Sequence, residues 1–303
     1  MTVLASGSKG NSTLVSSSRT RILVDAGLSC RELLKRMRSA GEEPESLDAI
    51  LVTHEHQDHI QGVAVLARKL GIPVYFTEAT HRAWVRWITP RKRMTYADWL
   101  EQRRQEAAPR EAGEIADVSD DVLCDDEEAV PGRDPAALPS LQFFTAGKEF
   151  RVGDIEVTPF TIPHDAADPV GFVFVADGVR IGIATDLGYM PPNAKLALRG
   201  CDVLMLESNH DLEMLRDGPY PWSVKQRVMS RVGHLSNDAA AEFLEKNYDG
   251  TAAYVILAHL SESNNLPELA RLSAEKALCD RMSLLANKLL LAEQHQPLES
   301  ILL

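Results

Sequence analysis

Cysteine is scarce in this chain. Its 303 residues include 4, at Cys30, Cys124, Cys201 and Cys279, and none forms a C-x-x-C pair. So spaced, they make neither a disulfide framework nor a zinc knuckle, and they read as reduced thiols of a cytoplasmic protein. Long apolar runs are absent as well. No window reaches the ~18 consecutive apolar residues of a membrane span. The opening MTVLASGSKGNST has no basic stretch followed by an apolar one, which argues against a secretory signal. Basic residues are in deficit, 32 Lys and Arg against 44 Asp and Glu, for a formal charge of −12. That sign argues against a nucleic-acid partner, whose affinity comes largely from phosphate neutralisation. What is present excludes wholesale disorder: 45% hydrophobic and 25% charged residues is an ordinary globular composition. The length suits one large domain or two modest ones.

The charge is unevenly spread. Asp98 to Asp134 holds 13 acids and 4 arginines, a net of −9, which leaves −12 + 9 = −3 for the rest. This stretch has few large apolar residues and no sustained period, so residues 98–137 are expected to form a flexible acidic surface insertion. Its protein partner, if it docks one, is not readable from the sequence.

Short β runs alternate with helical patterns elsewhere. Strands are expected at 3–4, 13–16, 22–25, 49–52 and 74–76, then at 141–145, 150–152, 155–160, 172–176, 180–184, 203–207 and 254–258. Helices are expected from Ser29 to Ser39 with Ser29 as cap, and at 58–70, 223–232, 237–247 and 267–279. Strands that outnumber and interleave with helices suggest layered sheets covered by helices. No fixed-period repeat is visible, although two similar halves could hide in this order.

Chemistry enters at Thr53-His54-Glu55-His56-Gln57-Asp58-His59, directly after the strand-like ILVT. Three imidazoles and a carboxylate at a strand end cannot all satisfy packing. Alternation along extended chain sends His54 and His56 to one side, and Asp58 and His59 can face the same cavity from a helix start. Mixed imidazole and carboxylate donors suit Zn²⁺, Mn²⁺ or Fe²⁺ rather than Ca²⁺.

With this H-x-H-x-D-H run the chain resembles the metallo-β-lactamase superfamily. The likeness continues through TIPHDAADPVG at His164, IGIATDLGY at Asp186 and VILAHLSESNN at His259. SGSKGN, LVDAGLS, THEHQDHIQG, ESNHDLEML, YPWS and GHLSN narrow it to the exonuclease-like YycJ/WalJ (VicX) subgroup. The resemblance implies an α/β four-layer αββα sandwich forming a single domain over 1–303, with the acidic insertion inside it. It implies two divalent metal ions per chain, Zn²⁺ or Mn²⁺. His54, His56 and His164 would hold one and Asp58, His59 and His259 the other, with Asp186 bridging. Asp25 in the early Asp-x-Gly would support the site without ligating. The 73 residues from Asp186 to His259 are too few to hold the inserted nucleic-acid domain of some relatives.

Two such ions can share a hydroxide that attacks at neutral pH. The expected activity is therefore metal-dependent phosphodiester hydrolysis, with DNA as partner and an exonuclease action. The alternative is hydrolysis of small esters, thioesters or lactones. Asp58 would orient or deprotonate the water, and His234 in GHLSN would protonate the leaving oxygen. Ser8 and Asn11 of the Gly-rich loop, Asn209 and His210 of ESNHD, and Ser236 are candidate substrate contacts. Arg91, Lys92 and Arg93, near Trp84 and Trp87, read mainly as a solvated basic segment. His81 and His295 read as packing or surface residues.

Overall fold

The computed structural model describes residues 1–89, 134–278 and 288–303. The basic triplet at 91–93, all but the last residues of the acidic insertion, Cys124 and Cys279 lie outside the described residues. Where that insertion rejoins the body, Arg68 donates to the carbonyls of Pro135 and Ala137 at 3.3 and 3.2 Å.

Two sheets form the centre, and they share one plan. In the six-stranded sheet, β1 (Thr2–Ala5), β2 (Ser12–Ser16) and β3 (Arg21–Val24) pair antiparallel. From β3 the pairing turns parallel through β4 (Ala49–Leu51), β5 (Pro73–Phe76) and β6 (Ser140–Phe143). The seven-stranded sheet repeats the scheme. There β7 (Phe150–Val152), β8 (Ile155–Thr161), β9 (Val170–Ala176) and β10 (Val179–Ala184) are antiparallel. β11 (Val203–Glu207), β12 (Tyr254–Ala258) and β13 (Lys288–Leu291) then follow in parallel. The switch strands β3 and β10 each lead into an Asp-x-Gly, Asp25-Ala26-Gly27 and Asp186-Leu187-Gly188. Two halves are indeed present in the element order, at the level of topology.

Three cores explain why the parallel strands read as unbroken apolar runs. Ile22, Val24, Ala49 and Leu51 pack between the sheets with Ile181, Ile183, Val203, Met205 and Ile256. Their neighbours Leu23, Ile50 and Val52 point the other way, against Leu33, Met37, Leu66 and Trp84. Leu204, Leu206, Val255 and Leu257 do the same on the second sheet, against Phe243, Leu244, Ala270 and Ala274. A sheet buried on both faces has no polar side, so its strands lose the usual alternation. Helices α1 (Cys30–Ser39), α3 (Val63–Leu70) and α4 (Glu78–Ile88) cover one outer face. The other is covered by α5 (Pro192–Ala197), α8 (Asn237–Lys246) and α9 (Pro267–Leu278). The layers are αββα.

Some expectations shift. The helix predicted over 58–70 is two, α2 (Gln57–Ile60) and α3, because Gly62 N donates to Ala26 O at 2.8 Å and draws the chain onto the Asp25 turn. Trp222–Val228 (α7) ends four residues earlier than predicted, and His234 N folds back onto Val228 O at 2.9 Å. Between β11 and that helix lies the short α6 (Leu212–Asp217), which no strong period announces. Trp84 is a core residue, 1% exposed, and His81 packs on Phe76, Trp84 and Phe143. No helix among the described residues is long and apolar enough to cross a membrane.

Candidate metal centre

Parallel strands of both sheets deliver their C-terminal ends to one place. His54 follows β4, Asp186 follows β10, Glu207 ends β11 and His259 follows β12. Asp25, Asp186 and His259 adopt left-handed backbone, with φ of 60°, 62° and 56°. Non-glycine residues held this way carry strain of about 1–3 kcal/mol each, which the surrounding packing must override.

The converging atoms fall into overlapping groups whose potential ligand atoms lie within 4.8 Å of one another: His54, His56 and His164; Asp58, His59 and His259; and His54, His59 and Asp186. A fourth contains Asp186, Glu207, His234 and His259. Hydrogen bonds fix which imidazole nitrogen faces inward. Asp25 Oδ2 lies 2.8 Å from His59 Nδ1 and also accepts from Thr53 Oγ1, while its Oδ1 accepts from Thr53 N. This leaves His59 Nε2 directed at Asp186 Oδ2, 3.4 Å away. His164 Nδ1 donates to Gly233 O at 3.0 Å, so its Nε2 faces His56. Carboxylate or carbonyl partners of this kind set the tautomer of metal-bound histidines.

The electrostatics ask for positive charge at this point. Burial disfavours a charged His59 and His259, yet Asp186 and the other carboxylates raise His59 well above the ordinary histidine range and His259 to about 10. Burial likewise opposes ionisation of Asp186, and His259 and His59 nevertheless hold it well below the usual carboxylate range. His54 shifts the other way, kept neutral by burial and then by His59. His54 Nε2, Asp186 Oδ2 and His259 Nε2 are buried with no hydrogen-bond partner among the described residues. Unpartnered buried donors of this type, beside carboxylates that draw protons onto imidazoles, are the chemistry a divalent cation fits.

Around this cluster the predicted residues separate by place. Asp58, His56 and His234 are the accessible members, with side chains 24%, 29% and 22% exposed. Asn11 lies inside it, its Nδ2 3.0 Å from His59 Nε2 and 3.2 Å from Asp58 Oδ2. Ser8 is exposed on the same loop. Asn209 is buried and donates to His259 O at 2.8 Å, bracing that turn. Ser236 accepts from Ala239 N and caps α8. His210 is buried beside it in a backbone bridge. All three are buried, with Asn209 5%, His210 1% and Ser236 9% exposed.

Glu207 is a member of the cluster that the sequence pattern did not single out. It is fully buried, and Oε1 receives His234 Nδ1 at 2.8 Å and His259 Nδ1 at 2.9 Å. Oε2 accepts from Leu187 N and Leu235 N. Against the upward push of burial, these partners, His234 foremost, hold its pKa at about 2. Beneath it, Ser208, Asn237 and Asn265 close a buried ring of hydrogen bonds at 2.7–3.0 Å.

The comparisons with known proteins agree with this geometry. Residues 5–259 match the family described as the Metallo-beta-lactamase superfamily. The chain belongs to the metallo-β-lactamase superfamily. Exodeoxyribonuclease WalJ of Streptococcus pneumoniae serotype 2 is 34% identical over 271 residues, 89% of this chain and 85% of that protein. Exodeoxyribonuclease YycJ of Bacillus anthracis is 36% identical over 276 residues, 91% of this chain and 88% of that protein. Among solved structures, the metallo-β-lactamase fold protein YhfI from Bacillus subtilis superposes with a TM-score of 0.62, covering 98% of this chain and 97% of that one at 15% identity. That likeness is one of fold. Membership in the superfamily implies divalent metal ions at this cluster.

Proposed function

We propose that this protein is a metal-dependent exodeoxyribonuclease with two ions per chain, Zn²⁺ or Mn²⁺, working in the cytoplasm as one domain over 1–303. Ligand type admits both metals, so availability decides between them. The observation that carries the proposal is a ligand cluster partly open at Asp58 and joined at Asp186 and His259 by a carboxylate–imidazole pair, Glu207–His234. Near-full-length similarity to two proteins named exodeoxyribonucleases supports DNA as the substrate.

His54, His56 and His164 would hold one ion, Asp58, His59 and His259 the second, and Asp186 both. When bound, the ions supply the charge and Lewis acidity that phosphoryl transfer to water requires. The chain's own residues do the rest. Asp58 combines a ligand atom with partial exposure, so it can orient an attacking water and take up its proton. His234 has Nδ1 fixed on Glu207, which leaves Nε2 to deliver a proton to the departing sugar oxygen. Asn11 holds Asp58 and His59 in mutual register from the Gly-rich loop.

A 5′-labelled duplex incubated with Mn²⁺ or Zn²⁺, alongside metal analysis of the purified protein, tests the assignment. Wild type should carry two equivalents and degrade the labelled strand, and Asp58→Ala and His59→Ala should lose both properties. Equal digestion by wild type and variants would sink it. Thioester hydrolysis without DNA digestion would show instead that these metals serve a carbonyl substrate.

A further inference from the structure

The mouth of the site carries a feature that the mechanism above does not use. Tyr189 stands three residues after Asp186, and Arg231 three residues before His234. The guanidinium carbon of Arg231 lies 4.6 Å from the centre of the Tyr189 ring. Tyr189 is half-buried and Arg231 is exposed. The two segments touch through their backbones. A Cβ on Gly188 would sit 2.5 Å from Arg231 O and 2.6 Å from Ser230 O, which only glycine avoids. Gly188 N also donates to Pro163 O at 2.9 Å, one residue before His164. The pair is thus fixed to the segments that carry Asp186, His164 and His234.

Arg227 is ion-paired with Asp165, and Lys225 donates to Arg216 O, whereas no carboxylate among the described residues pairs with Arg231. Met229 and Val232, on either side of Arg231 in sequence, are 43% and 44% exposed. A planar cation backed by an aromatic ring and bordered by apolar side chains suits the flat face of a nucleobase next to a phosphate.

We propose that Tyr189 and Arg231 form a stacking platform for the terminal base of the DNA strand and position its scissile phosphate at the metals. The platform rests on the exonuclease assignment and adds to it the group that recognises the strand end. Every base has a π-face, so the platform is indifferent to sequence.

The test compares wild type, Arg231→Ala, Arg231→Lys and Tyr189→Leu on strands ending in a normal or an abasic nucleotide. Base stacking is worth about 1–3 kcal/mol per base, a factor of roughly 5 to 150. Arg231→Ala should lose that factor in kcat/KM on the normal end, chiefly through KM. Wild type should lose the same factor on the abasic end, and the variant should lose nothing further there. Arg231→Lys keeps the charge without the plane and should behave as Arg231→Ala, and Tyr189→Leu should show part of the loss. Losses that multiply between variant and abasic end, or full activity in Arg231→Lys, would overturn the platform and leave the exonuclease assignment standing. A wild type that digests neither strand would remove both.

Discussion

One methyl group at Gly27 would test how tightly the site depends on backbone contact. Gly27 lies where three motifs cross: its N donates to Asn11 O at 2.9 Å, Asn11 N donates to Asp58 O at 2.7 Å, and Ala26 N donates to His59 O at 2.9 Å. In Gly27→Ala the new Cβ would lie 2.5 Å from Asn11 N and overlap the Asp58 carbonyl outright. Ordinary contact begins at 3.4 Å, so Asn11 alone must retreat by 3.4 − 2.5 = 0.9 Å, and Asp58 by more. No rotamer change relieves this, because the neighbours are main chain. Overpacking costs about 1–3 kcal/mol, and a lost buried hydrogen bond adds about 1 kcal/mol. A displacement near 1 Å at a catalytic group can cost about 100-fold in rate. If wild type holds the two ions proposed, metal analysis should find one equivalent in the variant, with the Asp58, His59 and His259 group emptied, and DNA digestion should fall by about two orders of magnitude. Leu244→Ala, in the outer core of the second sheet, is the control: it should cost about 2–5 kcal/mol of stability and leave the metal count unchanged. Unaltered metal content and activity in Gly27→Ala would refute the argument that these backbones set the site.

Two other expectations follow from buried groups. Glu207→Gln places an amide NH₂ against either two imidazole N–H groups or two backbone N–H groups, so activity should drop about 10–100-fold with the fold retained, and undiminished kcat/KM would refute the role of the dyad. Burial lowers the pKa of His210 to about 4 from an ordinary 6.5, so the unfolded chain takes up this proton first as pH falls. Stability should therefore decline between about pH 6.5 and 4, by on the order of 3 kcal/mol from this residue. Denaturant unfolding at pH 7 and 4.5 should show a smaller acid-side loss in His210→Asn, and an identical loss in the two proteins would contradict the assignment.

The strands were legible because both faces of each sheet are covered, which writes them as dense runs such as VLML and YVILA. The H-x-H-x-D-H cluster was legible because so many donors in six residues have no packing use. Glu207 was not, since a lone glutamate closing an apolar strand looks like a solvent-facing edge until His234 and His259 are brought to it by separate loops. Asn11, Asn209 and Ser236 stand out as substrate contacts because they lie in a Gly-rich loop and beside strand-to-helix junctions, and their partners His59, His259 O and Ala239 N are supplied by the way those segments meet in the fold. The helix break at Gly62 has the same origin: its cause, the Asp25 turn, is distant in sequence.

The repeated plan of the two sheets has a mechanical consequence. His54, His56, Asp58 and His59 come from the first half, and His164, Asp186 and His259 from the second, so on the proposed assignment neither half holds a complete set. Ions seated among them would act as rivets across the seam between the sheets. Chelation would then loosen the joint between the halves before it loosened either half, and metal occupancy would report whether the two are assembled.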